Sequence, residues 1–128
     1  MRVKVSDLPP GPLRAVGPDA RLSEVAREMR IHDSDSVAVM EGGRLVGIIT
    51  ERDLVRAIAD GVNPKQATAG VMRTSDPVTA GADEDVSVVA LRMMNLGVRH
   101  LPVVDASGNP IGLLSARNLV AVLDRSRS

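Results

Sequence analysis

Two stretches of the chain carry apolar residues at helical spacing. Leu22, Val25, Ala26 and Met29 fall at i, i+3, i+4 and i+7, as do Val86, Val89, Ala90 and Met93. Such a stripe predicts a short amphipathic helix with one buried face. Each stripe is followed by near-continuous apolar runs broken by a polar turn. Val37 to Met40, the turn Glu41-Gly42-Gly43 and Arg44 to Ile49 read as a β-hairpin. A second hairpin runs through Leu101 to Val104, a looser turn over Asp105-Ala106-Ser107-Gly108-Asn109, and Ile111 to Leu114. Runs this continuous imply strands covered on at least one face. Another helix is expected after each hairpin, from about Thr50 to Asp60 with Gly61 as its stop, and from about Ser115 to Asp124. Leu13 to Val16 and Pro77 to Ala80 add a short extended strand ahead of each first helix.

The pattern is a duplication. Adding 64 lays Leu22, Ser23, Val25, Ala26 and Met29 onto Val86, Ser87, Val89, Ala90 and Met93. With an offset of 65, Gly47, Ile48, Ile49, Thr50, Asp53, Leu54 and Val55 fall on Gly112, Leu113, Leu114, Ser115, Asn118, Leu119 and Val120. Each copy reads as β-α-β-β-α and, at about 50 residues, is marginal alone. The fold class is therefore α/β, with repeats at residues 1–62 and 63–128 expected to pack into one body of pseudo-twofold symmetry. The segment from Asn63-Pro64 to Asp76-Pro77 joins them, with Val71-Met72 expected as a core anchor. Asp83, Glu84 and Asp85 precede the second stripe, where acids suit the positive end of a helix.

Composition narrows the function. The chain has no Phe, Tyr or Trp, so the core is aliphatic, which argues against base-stacking platforms and aromatic cages. Sixteen Lys and Arg balance sixteen Asp and Glu, which disfavours nucleic acid as a partner. The absence of Cys rules out disulfides and thiolate chemistry. No long apolar run or signal pattern follows Met1, so a cytoplasmic protein with no membrane partner is expected.

The chemistry concentrates where a hairpin runs straight into a helix, at Gly47-Ile48-Ile49-Thr50-Glu51-Arg52-Asp53 and again at Gly112-Leu113-Leu114-Ser115-Ala116-Arg117-Asn118. A helix N-terminus offers free N–H groups and a positive dipole to an anion. Thr50 at the cap can turn its hydroxyl to a phosphate, and Asp53 can accept from a ribose diol. The same two residues also suit a capping box.

These junctions resemble the Gly-aliphatic-aliphatic-Thr/Ser-x-x-Asp signature of cystathionine-β-synthase (CBS) domains, here as a tandem pair or Bateman module. Arg99-His100-Leu101-Pro102-Val103-Val104-Asp105 matches a second family feature, present only in the second copy. Val5-Ser6-Asp7-Leu8 and Ala69-Gly70-Val71-Met72 resemble the turn ahead of each domain, and the overall pattern is similar to small free-standing bacterial CBS-pair proteins. The resemblance implies a regulatory, non-enzymatic module with no obligatory cofactor. It also implies a cleft between the domains that binds AMP, ADP, ATP or S-adenosylmethionine, a homodimer, and an unidentified regulated protein; a ligand-independent dimeric scaffold is the alternative. On that basis Thr50 and Ser115 meet phosphate or ribose oxygens, and Asp53 the ribose hydroxyls. Asn118 departs from the signature as a neutral amide. Arg99 and His100 meet a phosphate, where the first copy has Asp35 and Ser36. Ile48 and Val98 flank the adenine. Pro102 reads as structural, limiting edge pairing. His32 reads as a complement to its helix dipole rather than a metal ligand. Met93 and Met94 are expected to divide between core and interface.

Overall fold

Each repeat builds the expected β-α-β-β-α order in the computed structural model, which describes residues 2–8, 11–75 and 77–126. The chain forms two compact units, one of Arg14–Pro77 and one of Met1–Leu13 with Val78–Ser128. The first-repeat unit contains β1 (Ala15–Val16), α1 (Leu22–His32), β2 (Ser36–Glu41), β3 (Arg44–Thr50), α2 (Glu51–Ala59), α3 (Ala69–Met72) and β4 (Thr74–Ser75). The second-repeat unit holds a 3-10 turn at Val5–Asp7, then β5 (Ala80–Gly81), α4 (Val86–Leu96), β6 (His100–Val104), β7 (Pro110–Ser115) and α5 (Ala116–Ser126). Sheet order is β1-β2-β3-β4 in one and β5-β6-β7 in the other, with β1 parallel to β2 and β5 parallel to β6. No helix among the described residues is long and apolar enough to cross a membrane.

Buried hydrophobic residues form one cluster in each unit. Leu22, Val25 and Met29 of α1 meet Val37, Val39 and Ile49, while Val86, Val89 and Met93 of α4 meet Leu101, Val103 and Leu114. Ala26, counted in the stripe, is exposed. Its neighbours at i and i+3 suffice to bury one face of a three-turn helix. The leading strands are shorter than the sequence suggested, and pairing at Ala15–Val16 and Ala80–Gly81 is what defines them.

The segment ahead of each repeat packs on the other one. Val5 N–H donates to Glu84 O at 2.9 Å and Ser6 N–H to Ala82 O at 2.8 Å, while Val86 N–H returns to Val3 O at 2.8 Å. In the first-repeat unit the same three bonds recur as Ala69 to Ala20, Gly70 to Pro18 and Leu22 to Ala67. Val5 and Leu8 enter the second-repeat core, and Ala69 enters the first. A Cβ on Gly70 would stand 3.0 Å from Pro18 Cβ, which explains the glycine at this approach. The sequence division at 62 and 63 follows the repeats, whereas the compact units exchange these lead-in segments.

Two expectations need correction. Val71 is no core anchor, being 80% exposed; Ala69 is fully buried in its place and Met72 packs partly against the core. On so short a helix the turn, not the apolar character, decides which residue faces inward. The end of the linker at Asp76 lies outside the described residues. Pro102, expected to limit edge pairing, is buried in β6, the central strand of its sheet. Its counterpart Ala38 donates its N–H to Arg14 O at 2.7 Å beside β1, so the proline removes one ladder donor on the β5 side.

Candidate functional site

The first junction is built by continuity, because Thr50 ends β3 and caps α2 with no residue between them. Thr50 N–H donates to Asp53 Oδ2 at 2.8 Å, and Asp53 N–H donates to Thr50 Oγ1 at 3.3 Å. This is the reciprocal capping box foreseen from the spacing. A carboxylate has about four lone-pair sites, so Asp53 keeps acceptor capacity beyond that bond. Both residues are half-buried.

The second junction repeats the geometry with a difference. Asn118 N–H donates to Ser115 Oγ at 3.3 Å, and Ser115 N–H to Asn118 Oδ1 at 3.3 Å. In addition the Ser115 hydroxyl donates to Asn118 Oδ1 at 2.7 Å. Asn118 is exposed.

Carbonyls of the residues just ahead of β2 and β6 hold both helix starts. Glu51 N–H donates to Asp35 O at 3.0 Å and Ala116 N–H to Arg99 O at 2.9 Å. Arg99 is thus positioned through its backbone beside Ser115, with the residue itself exposed. His100 pairs in register with Ser115, and Ser36 with Thr50.

Strand alternation sorts these residues onto one face. Val37, Val39 and Ile49 enter the helix-facing core, leaving Ser36, Ala38, Ile48 and Thr50 on the opposite face of the sheet. Leu101, Val103 and Leu114 do the same in the second unit, leaving His100, Pro102, Leu113 and Ser115. The structure therefore groups Ile48, Thr50 and Asp53 in one unit, and Arg99, His100, Ser115 and Asn118 in the other. Val98 lies in the same unit, directly after the left-handed Gly97 that ends α4.

Ser36 was passed over as a mere counterpart of His100. It is fully buried, and its hydroxyl has no hydrogen-bond partner. The available signal was register, since a residue opposite the Thr50 hydroxyl shares its face.

Strong electrostatics lie elsewhere. Glu84 accepts from Arg92 Nη1 at 2.8 Å and from Gly81 N–H at 2.8 Å, while Arg92 also donates to Thr79 O at 3.1 Å. The Arg92 hydrogen bonds hold the Glu84 carboxyl down at about 2 and push the guanidinium up. Asp85 caps α4 by accepting from Ser87 N–H and hydroxyl, and the Ser87 hydroxyl lowers its pKa. Of the three acids read as dipole partners, Glu84 thus forms an ion pair and Asp85 a cap. His32 Nε2 lies 3.2 Å from Glu28 Oε2, one turn back on α1. Among the described residues no group of three or more His, Asp or Glu could hold a metal ion.

A family model described as "CBS domain" matches residues 5–60 and 69–125. An uncharacterized 17.7 kDa protein of Acidianus ambivalens is 35% identical over 126 residues, 96% of this chain and 74% of that one. Other curated relatives are longer, and the chain spans 52% of one and 21% of another. A CBS domain protein from Pyrobaculum aerophilum complexed with AMP has a TM-score of 0.86 at 26% identity, covering 98% of this chain and 100% of that one. The CBS domain pair of protein MJ0100, in complex with 5'-methylthioadenosine and S-adenosyl-L-methionine, also reaches 0.86 at 26% identity, over 98% and 99%. With a signature junction in each unit and the family model matched twice, this chain belongs to the CBS domain family as a tandem pair.

Proposed function

We propose that this chain is a regulatory module that binds an adenosine compound at its strand-to-helix junctions, works as a homodimer and has no turnover of its own. The observation that carries this reading is the likeness, over 98% of the chain, to solved CBS pairs that hold AMP or S-adenosylmethionine. In this reading the Thr50 hydroxyl reaches a phosphate or ribose oxygen, and Asp53 accepts from the ribose hydroxyls. Ser115 acts likewise, Asn118 offers a neutral acceptor, Arg99 and His100 attract phosphate, and Ile48 and Val98 give aliphatic surface to the adenine. The unpartnered Ser36 hydroxyl, in register with Thr50, is a further donor consistent with a ligand at the first junction. Binding acts on the regulated protein by shifting the populations of two arrangements of the module.

A second reading is a ligand-independent scaffold. The observation favouring it is the Ser115 hydroxyl, whose hydrogen is already committed to Asn118. Mass spectrometry of small molecules released from the purified protein separates the two. AMP, ADP, ATP or S-adenosylmethionine released in stoichiometric amount supports the sensing module; a chain that carries none and binds none when dialysed against each supports the scaffold.

A further inference from the structure

The two junctions share one backbone arrangement and carry opposite charge. Asp35 O accepts from Glu51 N–H at 3.0 Å and Arg99 O from Ala116 N–H at 2.9 Å, so an acid and a base occupy the same place beside a helix start. Around them, Asp33-Ser34-Asp35-Ser36 of the first repeat corresponds to Gly97-Val98-Arg99-His100 of the second, and Glu51-Arg52-Asp53 to Ala116-Arg117-Asn118. The first set holds the acids Asp33, Asp35, Glu51 and Asp53 against the single base Arg52. The second holds Arg99, Arg117 and His100 and no acid. Charge balance over the whole chain conceals this reversal.

Backbone donors do not distinguish the junctions. In each, the first helical N–H is taken by the carbonyl just ahead of the strand and the third by the cap hydroxyl. What differs is the field that a ligand's 5' group meets. Guanidinium groups beside a helix N-terminus favour an anion. Carboxylates at the same positions repel an anion and attract a cation. A second, independent observation marks the first junction as a place for a ligand. Ser36 is fully buried and in register with Thr50, and its hydroxyl has no partner among the described residues. A buried hydroxyl left unpaired is costly. A ribose hydroxyl supplies the missing partner without adding charge, where the second junction has His100.

We propose that the first junction selects an adenosine whose 5' substituent is cationic, as in the sulfonium of S-adenosylmethionine, and that the second selects one whose 5' substituent is a phosphate. The inference rests on the adenosine-binding reading above and adds which ligand each junction takes. The test is calorimetry of the full chain with S-adenosylmethionine, with S-adenosylhomocysteine, which lacks the sulfonium methyl and its charge, and with AMP. S-adenosylmethionine is expected to bind about ten-fold or more tighter than S-adenosylhomocysteine. Asp35→Arg, which copies the second repeat, should weaken S-adenosylmethionine by about ten-fold, and Arg99→Asp should weaken AMP by as much, with circular dichroism showing a folded chain. Ser36→Ala should weaken S-adenosylmethionine without lowering the melting temperature, because it removes an unpaired polar atom rather than a contact of the fold. No binding of any of the three compounds overturns both the adenosine-binding reading and this assignment. Equal affinity of the wild type for S-adenosylmethionine and S-adenosylhomocysteine, or affinities that withstand both Asp35→Arg and Arg99→Asp, overturns the charge assignment alone.

Discussion

Ser115 donates its hydroxyl hydrogen to Asn118 Oδ1 at 2.7 Å, whereas Thr50 and Asp53 are joined only through backbone N–H groups. The Thr50 hydroxyl therefore keeps its hydrogen for another acceptor, and Asp53 keeps a charge that Asn118 lacks. The two junctions should bind a ribose unequally. Asn118→Asp is expected to strengthen adenosine-ligand binding at the second junction, and Asp53→Asn to weaken it at the first. Each change should be about 1 kcal/mol, the spread between neutral and charge-assisted bonds. Calorimetric affinities of the two variants beside the wild type measure both.

The Glu84–Arg92 pair should make the second-repeat unit acid-sensitive. Glu84 titrates at about 2 in the fold against 4.5 for the free side chain. A depressed carboxyl contributes stability that is complete above 4.5 and is lost as pH falls toward 2. Both side chains are about a third exposed. Solvent screening therefore limits the effect to about 1 kcal/mol. Urea midpoints should place Glu84→Gln below wild type at pH 7, with the gap closing below about pH 3.

The exchanged lead-in segments predict where damage travels. Val5→Ala leaves a small cavity in a core whose other members, Leu8 apart, are residues beyond 78, at a cost of about 2 kcal/mol. Hydrogen exchange should show lost protection in β6 and β7 and little change in β2 and β3. For the same reason residues 1–63 alone should give no sharp thermal transition, lacking Ala69 and Met72 while carrying a lead-in with nothing to cover.

Asp33 ends α1 with φ 50°, in the left-handed region, at the place where Gly97 ends α4 with φ 68°. A Cβ in that region costs about 1 kcal/mol. Asp33→Gly should therefore raise the melting temperature by a few degrees, whereas Gly97→Asp should lower it.

The duplication, the helices, the hairpins and the Thr50–Asp53 capping box were legible because each depends on local spacing. Leu22, Val25 and Met29 mark their own helix, and Thr50 and Asp53 lie within one turn. The lead-in exchange was not legible, since Val5 and Ala69 occupy matching places in the repeat and nothing local says which core each enters. Val71 was misread because four residues hold too little periodicity to define a face. Ser36 was missed because its interest comes from register against Thr50, fourteen residues away. Grouping Ile48 with Thr50 and His100 with Ser115 needed the same knowledge of pairing.

The central claim, an adenosine ligand gripped at the Thr50 junction, is tested most directly by calorimetric titration of the intact chain with AMP and S-adenosylmethionine, beside Asp53→Ala. Saturable binding by the wild type is predicted, with a loss of about 1.5–3 kcal/mol in the variant, roughly ten- to a hundred-fold in affinity. No binding of either compound, or binding that Asp53→Ala leaves unaltered, would contradict it.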